Sequence, residues 1–588
     1  MYLGIVPSHD GQHHDPSACL IDGGEILAFV EEERMSRNKH AVGEFPINAI
    51  EECLHLGGAD LTDIEEIGLS RNYDNRRKIL GRLAKRAIRS DIGLAEKLWD
   101  TVMLPVKQTA TMTNSSLRSV VINRLTEHFS VAKDDVPRIS CLNHQLTHAA
   151  SAFYPSGFDK GLVVSLDNYG GHLSGAVYTG NENGIEELES FLRFNSLGRF
   201  YGDITEFLGF QRSNGEGKVM GLAPYGEQND HVKRVIESYI NFEDEAYDTE
   251  SLTFRKTGDA VSKLEADLGI DARYWRDEIT QAHKDVAFHA QQALEDVTTE
   301  LVSHYISEVD TGNVCLAGGV ALNCKLNKQI RNLPEVNDIF VQPAANDAGG
   351  SLGAAIALSR DDGNEIQEMK HVYLGSEFNE EEIRDTLERL KLSYSTIDDV
   401  PKTIADLLSN GEIVGWFQGR MESGPRALGN RSILADPRSI DSRDNVNKYV
   451  KHREEWRPFA PSMLYEEAER YLKGSVSKAA YFMIDTYETT PKAVDDIPAA
   501  LHPRDNTTRP QVVTRERNER YYELLQELKE KTGIGVVLNT SFNDSGEPIV
   551  RTPREAVRDF YSMGMDALVI EDILIRKSQS ETNHSVTE

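Results

Sequence analysis

Residues 1–33, MYLGIVPSHDGQHHDPSACLIDGGEILAFVEEE, and residues 161–194, GLVVSLDNYGGHLSGAVYTGNENGIEELESFLRF, follow one plan. Each opens on a short apolar run, LGIV in the first and LVVSLD in the second, that reads as a strand. A polar loop comes next, then a second strand, a turn and a third strand. The turns fall at Gly23–Gly24 and at Asn181–Gly184. Helical sequence follows each copy. A repeat of this kind predicts two similar halves facing each other across a cleft, each presenting its polar loop. The first loop, SHDGQHHDPSA, holds His9, Asp10, His13, His14 and Asp15.

Further along, Thr280 to Val309 has the apolar spacing of a long amphipathic helix. It leads into NVCLAGGVALNCKLN, a strand, a Gly-Gly turn and a helix, which places backbone N–H groups at a helix start, a natural seat for phosphate. DIFVQP and AANDAGGSLGAAIAL repeat the strand, loop and helix order. The polar run SRDDGNEIQEMK marks a boundary, so the first domain is expected over 1–360 and a second over 371–577, with a disordered tail at 578–588. A locally basic helical insertion (NRRKILGRLAKRAIRS) is expected at about 75–130.

The net charge of −31 over 588 residues argues against nucleic acid as a partner and fits a high-salt habitat or plain solubility equally well. Five scattered cysteines without a C-x-x-C pair indicate neither a disulfide framework nor a zinc ribbon. No signal peptide and no membrane span are expected, which predicts a cytoplasmic protein.

Against that acidity, residues 418–457 carry nine basic and six acidic side chains. Arg420, Arg426 and Arg431 alternate there with glycines, the pattern of an anion site rather than of a solvated face. In CLNHQLTHAASAFY, His144 and His148 stand four apart on one predicted helix face. Asp167 ends a strand and Asp347 lies in the NDAGG loop. Together the four make a mixed N/O set that suits Fe(II), Mn(II) or Zn(II), although a structural role for the histidines fits the spacing as well. His14 is a general-base candidate that Asp15 can orient, and Lys39 can bring a charge to the same cleft.

The segments HHDPSACLIDGGEILAFVEEER, NHQLTHAASAFYPS, SLDNYGGHLSG, GEGKVMGLAPYG, LAGGVALNCKLN, QPAANDAGGSLGAA, GRMESGPRALGNRSILADPR, VKHREEWRPFAPS, TTRPQVV and LNTSFNDSGEPIV resemble, in order, the NodU/CmcH O-carbamoyltransferases. The resemblance implies an α/β fold, with a duplicated actin/Hsp70-like (ASKHA) N-terminal domain followed by a YrdC-like twisted α/β sheet. It also implies two reactions. Carbamoyl phosphate and ATP give carbamoyladenylate, whose carbamoyl group then passes to a hydroxyl of a small-molecule acceptor. By position it assigns His14 as base with Lys39 nearby, and a metal, most often iron, to His144, His148, Asp167 and Asp347. Glu216, Lys218, Gly318, Gly319 and Asn323 fall at the adenylate pocket. Lys451, Arg457, Arg509, Asn539 and Ser541 fall at the carbamoyl phosphate positions, with Arg420, Arg426 and Arg431 assisting at the phosphates of ATP, which brings Mg2+ as well. A homo-oligomer is compatible with all of this. The rival readings are a small-molecule kinase, a tRNA-modifying threonylcarbamoyl transferase and an ATP-gated binding module.

Overall fold

The computed structural model describes residues 1–8, 14–73, 113–193, 195–243, 245–249, 252, 260–454 and 456–577. Two five-stranded sheets carry the duplication. The first contains β1 (Tyr2–Val6), β2 (Ser17–Asp22), β3 (Glu25–Glu31), β4 (Glu66–Leu69) and β5 (Arg138–Cys141), in the order β3-β2-β1-β4-β5. The second contains β6 (Gly161–Gly170), β7 (Leu173–Asn181) and β8 (Gly184–Leu192). After a small hairpin, β9 (Asn241–Glu243) and β10 (Ala246–Asp248), it adds β11 (Asn313–Ala317) and β12 (Asp338–Val341), in the order β12-β11-β6-β7-β8. In each sheet an antiparallel meander of three strands continues into two parallel strands. This is the duplication expected from the two sequence copies.

Helices α1 (Ile47–Leu56) and α2 (Asn114–Phe129) close a core on the first sheet. Leu117, Val121 and Leu125 recur every four residues and are fully buried with Leu3, Ile5 and Ile67. The basic run expected within the insertion lies outside the described residues, as does the expected tail. Four further helices build the region around the site: α3 (His144–Phe153), α4 (Gln281–Val309), α5 (Cys324–Arg331) and α6 (Gly349–Asp361). α6 packs on β1, β2 and β4 and against α3, and α3 in turn packs on β6 and β11. The two sheets are thus joined through one pair of contacting helices.

Two compact units emerge, and the division is not a single cut. Unit 1 is Met1–Gly375 together with Ser423–Pro425 and Val476–Thr486. The two late segments are tied in by polar contacts. Arg331 Nε donates to Asp485 Oδ2 at 2.6 Å, Asn327 Nδ2 to the Ile484 carbonyl at 2.8 Å, and Gly424 N to Glu31 Oε2 at 3.1 Å.

Unit 2 holds an eight-stranded mixed sheet of β13 (Ser395–Thr396), β14 (Val414–Phe417), β15 (Arg431–Ala435), β16 (Ala460–Leu464), β17 (Gln511–Val513), β18 (Val536–Ser541), β19 (Ala567–Ile570) and β20 (Ile573–Arg576). Its order is β13-β20-β19-β14-β15-β18-β16-β17. α7 (Val400–Ser409) and α8 (Glu519–Thr532) pair with each other, and Ile404, Leu408, Leu524 and Leu528 bury against Trp416, Leu434 and Val537. All five cysteines are free. Among the described residues no helix is long and apolar enough to cross a membrane.

Candidate active site

The N-terminus of α3 is set by Asn143, whose side chain accepts from Gln145 N at 2.9 Å and Leu146 N at 3.2 Å. His144 and His148 therefore share a helix face, and their Nε2 atoms lie 3.1 Å apart. His144 Nε2 is 3.3 Å from Asp167 Oδ2 on β6 and 3.5 Å from Asp347 Oδ1, while His148 Nε2 is 3.9 Å from that same Asp347 oxygen. One ligand atom from each of the four falls within 4.8 Å of the others, and all four residues are buried. The ring of His144 needs Gly170 beside it, because a Cβ there would sit 1.7 Å from Cδ2. Arg71, just past β4 and 2% exposed, donates to Asp347 Oδ2 at 3.1 Å.

Burial alone would lower both histidines. For His144 the charge of Asp347 and the bond to Asp167 outweigh it and raise the pKa to about 9, whereas His148, buried and facing His144, falls to about 4. His144 and Arg71 likewise overcome burial and hold Asp347 well below the usual carboxylate range. Two imidazole nitrogens crowded together between two carboxylates, with His148 Nδ1 buried and without a hydrogen-bond partner among the described residues, fit a divalent cation.

His14 Nδ1 lies 2.9 Å from Asp15 Oδ2, and Asp15 Oδ1 lies 2.8 Å from His40 Nδ1. Burial disfavours the charged imidazole of His14, but Asp15, with Asp347 and Asp167 behind it, raises the pKa to about 10. The carboxylates of the four-residue cluster therefore act on His14. Lys39 is half-buried and its charge acts on His40.

Gly318, with φ +83°, presses against β6, where a Cβ would stand 2.1 Å from the Leu166 carbonyl oxygen. Gly319 N then reaches Asp167 Oδ1 at 3.3 Å. Asn323 caps α5 through Leu326 N at 3.1 Å and exchanges amide hydrogen bonds of 2.9 and 3.0 Å with Gln291 on α4. Glu216 accepts from Ser213 N at 2.7 Å, and Lys218 Nζ stands 5.3 Å from the Phe210 ring centre. Their helix abuts the start of α5 through Met220 Sδ and Cys324 Sγ, 3.6 Å apart. The glycine pair thus joins the four-residue cluster directly. Glu216 and Lys218 stand on the helix next to it.

In unit 2, Lys451 is buried with its ammonium on the Ser541 carbonyl at 3.0 Å, the Asn543 carbonyl at 2.8 Å and Asn543 Oδ1 at 3.0 Å. Burial first, then Arg453 and Arg457, lower its pKa to about 7. Arg453 falls to about 9 through burial and the charges of Arg457 and Arg509. Arg457 is lowered by burial and Arg509, against Glu454. Asn539 and Ser541 alternate along β18, and Asn539 Nδ2 donates to Ser462 Oγ at 2.9 Å.

Arg431, expected at the phosphates of ATP, stands at the start of β15. It is fully buried, stacked 3.5 Å from the Phe417 ring centre, and its guanidinium donates to the carbonyls of Gln418 at 2.7 Å, Asn430 at 2.9 Å and Gly419 at 3.0 Å. Those bonds hold a loop together. Arg420 and Arg426 are half-buried in the same loop. Glu422 organises that loop, since its Oε1 accepts from the N–H groups of Leu428, Asn430 and Arg431 at 2.7, 3.2 and 3.1 Å. Sequence reasoning missed Arg71, His40, Glu422 and Arg453. Arg71 had one usable signal, its place at the C-terminal end of a parallel strand, where sites of open α/β sheets gather.

Residues 4–356 match the carbamoyltransferase N-terminus family and residues 405–577 the carbamoyltransferase C-terminus family. The nodulation protein NolNO of Sinorhizobium fredii is 34% identical over 571 residues, covering 96% of this chain and 79% of its own. NolO of Bradyrhizobium diazoefficiens is 36% identical over 441 residues, 74% of this chain and 79% of its own. The 3'-hydroxymethylcephem-O-carbamoyltransferase of Streptomyces clavuligerus is 30% identical over 378 residues, 63% and 66% of the two chains. On the span of these matches, the chain is an enzyme that belongs to the NodU/CmcH carbamoyltransferase family.

Proposed function

We propose that this enzyme makes carbamoyladenylate from carbamoyl phosphate and ATP and transfers its carbamoyl group to a hydroxyl of a small-molecule acceptor. The observation that carries the reading is His14, held by Asp15 and under the charge of the His144, His148, Asp167 and Asp347 cluster. In the first reaction water releases phosphate from carbamoyl phosphate. A carbamate oxygen then attacks the α-phosphorus of ATP and pyrophosphate leaves. Lys451, Arg457 and Arg509, with Asn539 and Ser541 beside them, would bind the phosphate group of carbamoyl phosphate, and Mg2+ would accompany ATP. Collecting cations, Lys451 buried and Arg457 and Arg509 half-buried, suits a dianion, because each lowers the cost of bringing negative charge out of water. Arg453 adds to that field.

In the second reaction the acceptor oxygen attacks the carbamoyl carbon, the bond to the adenylate phosphate breaks and AMP leaves. His14, in its neutral form, takes the acceptor proton on Nε2 while Nδ1 donates to Asp15. Lys39 would place a positive charge near that transfer. Glu216, Lys218, Gly318, Gly319 and Asn323 would line the adenylate pocket. A divalent ion such as Fe(II), held by His144, His148, Asp167 and Asp347, would supply positive charge for the adenylate phosphate and offset the part that Asp347 and Asp167 add to Asp15 in keeping His14 protonated.

The test is direct. Purified enzyme with carbamoyl phosphate, ATP and a panel of alcohols should yield AMP and pyrophosphate, and mass spectrometry should find one carbamoyl group gained by the accepted alcohol. ADP as the sole nucleotide product would overturn the reading in favour of a kinase.

A further inference from the structure

Three residues near His14 adopt a left-handed backbone without being glycine: Asp15 at φ 57°, His40 at φ 63° and Ala41 at φ 40°. Such conformations persist only where the surroundings over-determine them, and they gather at functional sites. Here they serve one contact. Asp15 is buried and tied to residue 40 twice, by its N–H to the His40 carbonyl at 2.9 Å and by its Oδ1 to His40 Nδ1 at 2.8 Å. Residue 40 is fixed in turn by its own N–H on Glu33 Oε2 at 2.7 Å. That leaves Oδ2 of Asp15 for His14 Nδ1 at 2.9 Å, with the two imidazole rings near-perpendicular, 6.4 Å apart.

We propose that His40 is a positioning residue for the carbamoyl transfer step. It donates to one oxygen of Asp15 and thereby aims the other at His14 Nδ1, which fixes the tautomer that leaves Nε2 of His14 to receive the acceptor proton. The same logic governs a carboxylate behind a catalytic histidine, where the partner that holds the ring also selects which nitrogen reacts. What is unusual is that the orienting carboxylate is itself held by a second histidine. The tight turn at residues 40 and 41 is the cost of bringing that ring into place. The inference rests on His14 being the base.

The experiment separates donor from backbone. Asn tolerates the left-handed conformation and its amide can stand where Nδ1–H stands, whereas Gly relaxes the backbone and removes the donor. AMP release is followed with methyl α-D-glucoside as the probe alcohol and with water alone. Adenylate formation is followed separately, as carbamoyl phosphate-dependent exchange of labelled pyrophosphate into ATP. We expect His40→Gly to lower kcat for AMP release about 10²-fold with KM and pyrophosphate exchange unchanged, and His40→Asn to restore kcat to within a few-fold. If His40→Gly fails to fold, His40→Ala replaces it, which removes the donor and adds no charge beside Asp15.

Equal loss in the Asn and Gly variants, or full AMP release by a folded variant lacking the donor, overturns the proposal. His14→Ala run alongside distinguishes the two levels. Should it release AMP at the wild-type rate, the base assignment itself fails, whatever His40 does.

Discussion

Around His144 opposite charges meet, and around Lys451 like charges do. In unit 1, two histidines and Arg71 face two aspartates, and the electrostatics run both ways: His144 is raised to about 9, His148 lowered to about 4, and Asp347 held down. In unit 2, Arg509 pushes Arg457 towards the neutral form, Arg457 pushes Arg453, and Arg453 with Arg457 pushes Lys451. The first arrangement balances its own charge within a few ångströms and suits a small cation and a travelling proton. The second carries an excess that suits a phosphate-bearing ligand. A single chain thus solves charge burial by pairing in one place and by accumulation in another.

The sharpest way to break the contrast is to remove one charge from the paired centre. Asp347→Asn leaves His144 and Arg71 without their shared partner, so unit 1 should lose about 3–5 kcal/mol of stability. Metal analysis of the purified variant should find bound metal reduced while pyrophosphate exchange persists. Lys451→Met probes the other centre and should slow pyrophosphate exchange about 10²–10³-fold with bound metal unchanged. A variant that lost metal as well would erase the distinction.

Arg71→Ala is milder, since Arg71 acts behind Asp347. Metal affinity should drop about 10–100-fold, measured by chelator competition.

Lys451 also gives the contrast a pH signature. Its folded pKa of about 7 lies below that of an unfolded lysine, so from about 7 up to the ordinary lysine range the unfolded chain binds the extra proton. The destabilisation is complete below about 7 and is relieved as pH rises through that interval. Anion binding needs the charged form, so KM for carbamoyl phosphate should be flat below pH 7 and climb above it. Lys451→Arg should flatten that climb. A KM in the wild type that ignores pH from 6 to 9 would sink the assignment. The smallest effect is local. Asn143→Ala removes the cap that starts α3 and should cost about 1 kcal/mol, read by denaturant unfolding.

The parts of this picture that were legible in the chain were those written in local order. Strand, loop, strand, turn and strand at both 1–33 and 161–194 became two sheets of one topology. His144 and His148 could be paired because a helix brings every fourth residue to one face. What escaped were partners separated by hundreds of residues, such as Arg71 with Asp347, and partners on a turn with no periodicity, such as His40. Arg431 shows what spacing alone leaves open. Its spacing from Arg420 and Arg426 with glycines between reads as an anion grip, yet at the first position of β15 its guanidinium lies over Phe417 among backbone carbonyls. Sequence spacing does not say which side of a strand a cation takes.

Glu422 also sets how its loop can open. One of its carboxylate oxygens accepts three amide protons, those of Leu428, Asn430 and Arg431. None of these amides can meet solvent alone without leaving a buried carboxylate short of donors. The stretch from 426 to 431 therefore opens as one piece or stays shut. Its amide protons should exchange together and late, on the schedule of the surrounding sheet rather than that of an ordinary surface loop.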